Sequence, residues 1–150
     1  MAPEMIPVRR SDDRCRSGIP VLQLRNRISA LLVDSDRSSQ IAQSSFLRYY
    51  GVDTQTASNG LSAFVLASAS SSTFELIIID ISLPVMNGLG VASYQVYACQ
   101  GINCKIIGMT GCWCEMHEQA ILDAGANKAI EKPFFPATLL PILRELDDEL

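Results

Sequence analysis

The sequence lacks any apolar run that approaches the roughly 18 to 20 residues of a membrane-spanning helix. Its first residues include Glu4, Asp12 and Asp13 but no hydrophobic core segment, which argues against a secretory signal or a transit peptide. Charged residues make up 19% of the chain and hydrophobic residues 48%, a balance typical of a folded globular protein. We therefore expect a protein of the cytoplasm, with the nucleus as a second location, that has no membrane partner.

An excess of positive charge is also missing outside the first 27 residues. Residues 1–27 hold six Arg and three acids, whereas the remaining residues hold six Lys or Arg and thirteen acids. An acidic domain cannot neutralise phosphates, so nucleic acid is not an expected partner. We interpret residues 1–27 as a flexible tail, solvated or touching an acidic partner. Residues 28–150 form one domain, because no repeat or linker divides them.

The five cysteines lack a paired metal-binding pattern. Cys112, Cys114 and His117 give the spacing C-x-C-x-x-H, but a second C-x-x-C half is missing. In an intracellular protein, we expect reduced thiols that fill small spaces in the core.

The stretch from Leu76 to Gly88 is the most informative part of the chain. Four aliphatic residues, three of them β-branched, end abruptly at Asp80, which predicts a strand buried on both faces of a parallel sheet. Pro84 and the Asn87-Gly88 pair then mark a loop. In open α/β sheets, ligands bind outside the carboxyl ends of the strands. Asp80 is therefore a candidate nucleophile or metal ligand, although an acid there can also cap a turn.

Strands and helices are predicted to alternate along the domain. The predicted strands are 28–33, 52–57, 76–80, 104–109 and 127–130, and the helices are 37–50, 60–66, 88–100, 113–124 and 136–146. Ile121 and Leu122 are expected to face the core, and residues 21–24 form a weak strand-like patch. Alternation at this spacing implies right-handed βαβ units. We predict an α/β fold, a doubly wound five-stranded parallel sheet with strand order 2-1-3-4-5.

Four polar residues follow four of the predicted strands. Asp34 ends the first strand, Asp80 the third, Thr110 the fourth, and Lys132 follows the fifth. In a sheet of order 2-1-3-4-5 these strands are contiguous, so their carboxyl ends share one crevice. Each residue alone could be a solvated loop residue, but together they predict a site with two carboxylates, a hydroxyl and an ammonium group.

This combination resembles the receiver domain of two-component response regulators. The resemblance covers residues 28–150. Its motifs are Val33-Asp34, Asp80-x-x-Leu83-Pro84-x-Met86-Asn87-Gly88, Ile107-Gly108-Met109-Thr110, Ala124-Gly125-Ala126 and Lys132-Pro133-Phe134. Within that family the chain is most similar to the receiver-only type-C regulators of plants. The resemblance implies a flavodoxin-like (βα)5 fold and a signalling phosphoacceptor rather than an enzyme.

The resemblance also implies a role for each site residue. Asp80 would attack a phosphohistidine on a histidine-containing phosphotransfer protein or a histidine kinase, and would become an aspartyl phosphate. Mg²⁺ is the implied cofactor, bound by Asp34, Asp80 and the backbone carbonyl of Ser82. Thr110 would hydrogen-bond a phosphoryl oxygen, and Lys132 would form an ion pair with Asp80 and then with the phosphate.

Two positions depart from the family pattern. Ser35 stands where receivers usually carry a second acid. Loss of that acid removes a repulsion of about 4 kcal/mol between carboxylates about 4 Å apart, but a divalent ion loses about twice as much attraction. We therefore expect weakened Mg²⁺ affinity unless Asp36 reaches the metal through water. Ala129 replaces the aromatic residue that receivers often place three positions before Lys132.

Two other functions stay open on the sequence alone. A pseudo-receiver in which Ser35 has disabled metal-assisted transfer would be a pure interaction module. A hydrolase of small phosphate esters would also form an aspartyl phosphate, but such enzymes usually carry an acid where this chain has Ser82. The single histidine, His117, lies in a predicted helix and matches no phosphate-donor motif.

Overall fold

The computed structural model describes residues 22–68, 74–81 and 104–150. The described strands are β1 (Ser29–Val33), β2 (Asp53–Ala57), β3 (Leu76–Asp80), β4 (Lys105–Thr110) and β5 (Lys128–Glu131). The described helices are α1 (Arg37–Tyr49), α2 (Gly60–Ser68), α3 (Glu115–Asp123) and α4 (Pro136–Glu149). The predicted helix at 88–100 and the loop that starts at Ser82 lie outside the described residues. None of the described helices combines the length and hydrophobicity needed to span a bilayer.

The strands form one parallel sheet of order β2-β1-β3-β4-β5, which confirms the predicted topology. Every residue of β3 is buried, as expected for an aliphatic strand in the middle of a parallel sheet. The polar strand β2 lies at the edge, also as predicted.

Helices cover both faces of the sheet, so each face has its own hydrophobic core. Successive residues of β1 and β3 point to opposite faces and supply both cores. The first core combines strand residues with side chains of α1 and α4: Leu32, Ile78, Ile107, Leu47, Leu139 and Leu143. The second combines strand residues with side chains of α2 and α3: Leu31, Ile77, Ile79, Ala63 and Ile121.

Helix α1 begins at Arg37, as predicted, and ends at Tyr49, one residue before the predicted end. The carboxylate of Asp36 caps its first turn by accepting a hydrogen bond from the Ser38 N–H. At its other end, Gly51 adopts φ of 85°, a left-handed conformation that favours glycine.

The buried face of α1 differs from a simple apolar stripe. Gln40, Gln43 and Ser44 are buried, whereas Ile41 is 55% exposed. The Gln40 side-chain amide donates hydrogen bonds to two backbone carbonyls, so its burial leaves those donors satisfied. Hydrophobic periodicity could not reveal this arrangement.

Helix α3 begins at Glu115, two residues later than predicted, and contacts the sheet through Ile121. The prediction for Leu122 is wrong, since its side chain is 37% exposed. The thiols of Cys112 and Cys114 are exposed rather than packed in the core, because both residues precede α3 in a surface loop.

Residues before β1 pack against the folded domain. Residues 22–24 form no strand, yet Leu22 and Leu24 pack against the first core. The carboxylate of Asp147, near the end of α4, accepts hydrogen bonds from the backbone N–H groups of Arg25 and Asn26. We call Asp147 together with Arg25 and Asn26 the Asp147 clamp. These contacts concern residues 22–26, and residues 1–21 lie outside the described part of the chain. The boundary between a tail and a domain at residue 28 therefore stays a prediction.

Candidate functional site

Three of the predicted site residues meet at the carboxyl ends of the strands. The Lys132 Nζ atom lies 2.7 Å from Asp34 Oδ2 and 2.9 Å from Asp80 Oδ2. The exposed fraction of the side chain is 0% for Asp34, 8% for Asp80 and 16% for Lys132. We call Asp34, Asp80 and Lys132 the strand-end site.

The parallel sheet brings these side chains together from distant parts of the sequence. Asp34 follows β1, Asp80 is the last residue of the adjacent β3, and Lys132 follows β5. Lys132 begins the loop between β5 and α4. Its backbone N–H donates a hydrogen bond to the Thr110 carbonyl at 2.8 Å, which joins the start of this loop to the end of β4. Phe134 then anchors the loop, since it is buried in the first core and its ring packs edge-on against Phe46.

The strand-end site carries more negative than positive charge. Burial alone would lower the pKa of Lys132, but hydrogen bonds and ion pairs with Asp34 and Asp80 outweigh burial and raise this pKa above its ordinary value. One ammonium group therefore faces two carboxylates. Within the described part of the chain, buried Asp34 Oδ2 makes no hydrogen bond of good geometry besides its ion pair with Lys132. Such an oxygen atom suits a hard cation.

A network around the end of β1 fixes the position of Asp34. The Asp34 N–H donates to the Ala57 carbonyl, and Asp34 Oδ1 accepts a hydrogen bond from the Asp36 N–H. The Gln40 amide Nε2 donates to the carbonyls of Asp34 and Ala57, at 2.8 and 3.0 Å. Sequence reasoning missed Gln40. Its one signal was a glutamine placed six residues after the strand-end acid, on a helix that packs against the sheet.

The two residues after Asp34 place little negative charge in the site. Ser35 and Asp36 are both exposed, and Asp36 Oδ1 accepts the capping hydrogen bond from the Ser38 N–H. Among the residues with described positions, no group of three His, Cys, Asp or Glu side chains is arranged to bind a metal. The third predicted Mg²⁺ ligand, the Ser82 carbonyl, lies outside those positions.

Thr110 is buried, but its hydroxyl is engaged in the loop between β4 and α3. The Thr110 Oγ1 atom accepts a hydrogen bond from the Cys112 N–H at 3.1 Å and also lies 3.1 Å from the Cys112 carbonyl oxygen. It is 3.3 Å from His117 Nδ1. The structure therefore places Thr110 at the end of β4 as predicted, with its hydroxyl bonded to this loop and close to His117 of α3. Sequence reasoning did not connect His117 with the site.

Comparison with known proteins connects this geometry to one family. A sequence model of the response regulator receiver domain matches residues 30–144. Two-component response regulator 24 of Arabidopsis thaliana is 30% identical, over 81% of this chain and 86% of its own length. Two-component response regulator ARR22 of the same plant is 29% identical, over 81% of this chain and 84% of its own length. The predicted resemblance, including that to plant regulators, is confirmed.

Solved structures agree with the observed fold. A CheY-like response regulator receiver domain protein from Methanospirillum hungatei superposes with a TM-score of 0.72 at 27% identity, over 83% of this chain and 96% of its own. The receiver domain of Saccharomyces cerevisiae Ssk1, crystallised with the histidine phosphotransfer signaling protein Ypd1, superposes with a TM-score of 0.72 at 23% identity. That match covers 81% of this chain and 90% of the receiver, and it supports the fold.

Proposed function

Because this chain belongs to the response regulator receiver family, we propose that it accepts a phosphoryl group on Asp80 from a histidine-containing phosphotransfer protein or a histidine kinase. The observation that carries the proposal is the position of Lys132 Nζ, within 3 Å of carboxylate oxygens from two adjacent strands. The histidine-containing donor is suggested by Ssk1, a receiver of similar fold that has been crystallised with a phosphotransfer protein.

The proposed transfer is a displacement at phosphorus. An Asp80 carboxylate oxygen attacks the phosphorus of the phosphohistidine, and a P–O bond forms as the P–N bond breaks. The electron pair of the P–N bond stays on the imidazole nitrogen of the donor, which then takes a proton from solvent. The Lys132 ammonium, already paired with Asp80, attracts the phosphoryl oxygens and holds the product.

The charge balance calls for a second cation. A phosphoryl group brings about two negative charges to a site with two carboxylates and one ammonium group. Asp34 and Asp80 would bind Mg²⁺, whose charge offsets that of the phosphoryl oxygens, and we place the Ser82 carbonyl as the third ligand. Among the described residues, buried Asp34 Oδ2 has no partner besides Lys132, which supports this assignment.

Substitution of the nucleophile tests the proposal. A radiolabelled phosphohistidine donor should label the parent protein with hydroxylamine-sensitive phosphate, and Asp80→Asn should abolish the label because an amide is not a nucleophile of this kind. Asp123→Asn, which changes an exposed acid of α3, is the matched control and should retain the label. Undiminished labelling of Asp80→Asn would refute the assignment of Asp80.

A second function is favoured by one specific observation. The Asp36 carboxylate caps α1, and Ser35 has no carboxylate, so neither residue brings to Asp34 the second acid that receivers usually have. Weak metal binding would make the chain an interaction module that works without phosphorylation. Labelling that rises with added Mg²⁺ would support the phosphoacceptor, whereas a complete absence of labelling at high Mg²⁺ would favour the interaction module.

A further inference from the structure

The His117 ring and the Thr110 hydroxyl contact the same backbone carbonyl. His117 Nδ1 lies 2.6 Å from the Cys112 carbonyl oxygen, and Thr110 Oγ1 lies 3.1 Å from it. A carbonyl oxygen can only accept a hydrogen bond, so Nδ1 must carry the proton in this contact. The geometry therefore points to the Nδ1–H form of the His117 ring.

That assignment determines what the Thr110 hydroxyl does. A protonated Nδ1 cannot accept a hydrogen bond, so the 3.3 Å approach of Thr110 Oγ1 to His117 Nδ1 is not a bond donated by Thr110. The hydroxyl accepts from the Cys112 N–H, and its own proton is directed to the Cys112 carbonyl. The shorter bond to this carbonyl comes from His117 and the longer bond from Thr110.

The Thr110 hydroxyl has to leave this carbonyl before it can bond a phosphoryl oxygen on Asp80. We propose that His117 is a positioning residue that holds the Cys112 peptide in place and keeps its carbonyl hydrogen-bonded while Thr110 turns towards the phosphoryl group. This inference rests on the proposed function. Without the imidazole, the Thr110 hydroxyl would be the remaining side-chain donor to that carbonyl among the described residues, and release of the hydroxyl would be less favourable.

The first test measures the ring itself. Nitrogen-15 NMR of the His117 imidazole in the full chain, at a pH where the ring is neutral, is expected to show the Nδ1–H tautomer. This tautomer is the less common form of a free histidine, so the contact with Cys112 has to select it. A ring in the Nε2–H form would overturn the inference, whatever the outcome of the phosphorylation assays.

The second test measures aspartyl-phosphate formation with acetyl phosphate as the donor at saturating Mg²⁺. His117→Ala should slow the reaction roughly fivefold, the size expected for one neutral hydrogen bond. His117→Asn should keep most of the parent's rate. The amide nitrogen of asparagine is bonded to Cγ, as Nδ1 of histidine is, so it can donate the same hydrogen bond to the Cys112 carbonyl. Met116→Ala changes a side chain that is 76% exposed on the same helix turn, and should match the parent.

A double-mutant cycle separates this role from a merely structural one. In a Thr110→Val background there is no hydroxyl to release, so His117→Ala should have no further effect on the rate. An equal fold-change from His117→Ala in both backgrounds would overturn the inference while phosphorylation of the parent still supported the proposed function. A parent that takes no phosphate would instead refute the proposed function, and with it this role of His117.

Discussion

One ammonium group, that of Lys132, forms ion pairs with the two buried carboxylates of the strand-end site. Removing one partner of a buried ion pair is more damaging than removing a surface pair, because the remaining charge is left without compensation. Lys132 is therefore important for stability as well as for the proposed chemistry.

Lys132→Ala should lower the free energy of unfolding by roughly 2 to 4 kcal/mol, towards the lower end for a buried pair because Lys132 retains some exposure. Denaturant unfolding measures the loss, and added Mg²⁺ should recover part of it by supplying positive charge. Lys128→Ala is the matched control, because Lys128 forms an ion pair with Glu145 that spans 3.9 Å between half-exposed side chains. Its effect should stay below about 1 kcal/mol. Equal losses in the two variants would contradict a special role for Lys132.

Ser35→Asp should tighten Mg²⁺ binding, because it returns a carboxylate to a site with hard oxygen ligands. Faster phosphorylation at limiting Mg²⁺ should follow. A Mg²⁺ titration of Ser35→Asp, Asp36→Ala and the parent measures the effect, and the capping contact of Asp36 predicts that Asp36→Ala changes affinity little. If the parent bound Mg²⁺ as tightly as Ser35→Asp, and Asp36→Ala were sharply weaker, Asp36 would be the metal residue.

The sequence was sufficient to find Asp34, Asp80 and Lys132, because strand ends can be predicted and the order of parallel strands brings them together. It was not sufficient to find Gln40 and His117. Their contacts are with backbone carbonyls at strand ends and in a loop, and residue spacing does not reveal how these carbonyls are oriented.

The packing of α3 on β4 depends on a glycine. A Cβ atom at Gly108 would lie 2.4 Å from Ile121 Cγ2, so the helix approaches the strand more closely than any other residue type at position 108 would allow. Ile121 is also the α3 side chain that is buried in the second core. The pair Gly108 and Ile121 therefore sets the distance between helix and sheet.

Gly108→Ala should lower the free energy of unfolding by about 1 to 3 kcal/mol, the usual effect of overpacking. Gly111→Ala is the matched control, because among the described residues no atom other than those of Gly111 and its chain neighbours lies within 4 Å of the added Cβ. Its effect should be about 0.5 kcal/mol or less. Combining Gly108→Ala with Ile121→Ala should be less damaging than the two single effects together, since the clash is gone. Additive losses would show that Ile121 does not limit the approach.

The helices were predicted less well than the strands, because their buried faces depend on how each helix approaches the sheet. Buried strands are continuous aliphatic runs, so β3 and β4 are evident from residue type alone. The buried face of α1 carries Gln40, Gln43 and Ser44, and α3 buries Ile121 but not its neighbour Leu122. Which polar residue finds a partner, and which apolar residue stays exposed, depends on the approach of the helix to the sheet.

The Asp147 clamp joins the segment before β1 to the last described helix. Hydrogen bonds from the backbone N–H of Arg25, and from the side chain and N–H of Asn26, lower the pKa of Asp147 against the opposing effect of burial. The ordinary pKa of this carboxyl group is 3.8. Because folding lowers the pKa, the ionised carboxylate stabilises the folded protein at pH values above 3.8. This contribution is lost as the pH falls below that value and through the lowered pKa.

Asp147→Asn should therefore lower the denaturant midpoint at neutral pH, and the difference from the parent should shrink as the pH falls below 3.8. Chemical unfolding at a series of pH values measures both effects. Asp148→Asn is the control, because this acid is 73% exposed and forms its ion pair with the Arg25 side chain, which is 70% exposed. A difference from the parent that stayed constant across the acid range would show that ionisation of Asp147 does not stabilise the fold.

The same clamp has a consequence for the order of folding events. Its hydrogen bonds join residues that are 121 and 122 positions apart in the chain. Closing so long a loop is entropically unfavourable until the sheet has brought its ends together, so the clamp should form after the transition state. Its loss should then speed unfolding and leave the folding rate almost unchanged. Asp147 would thus govern how long a folded molecule survives, and have little influence on how fast it forms.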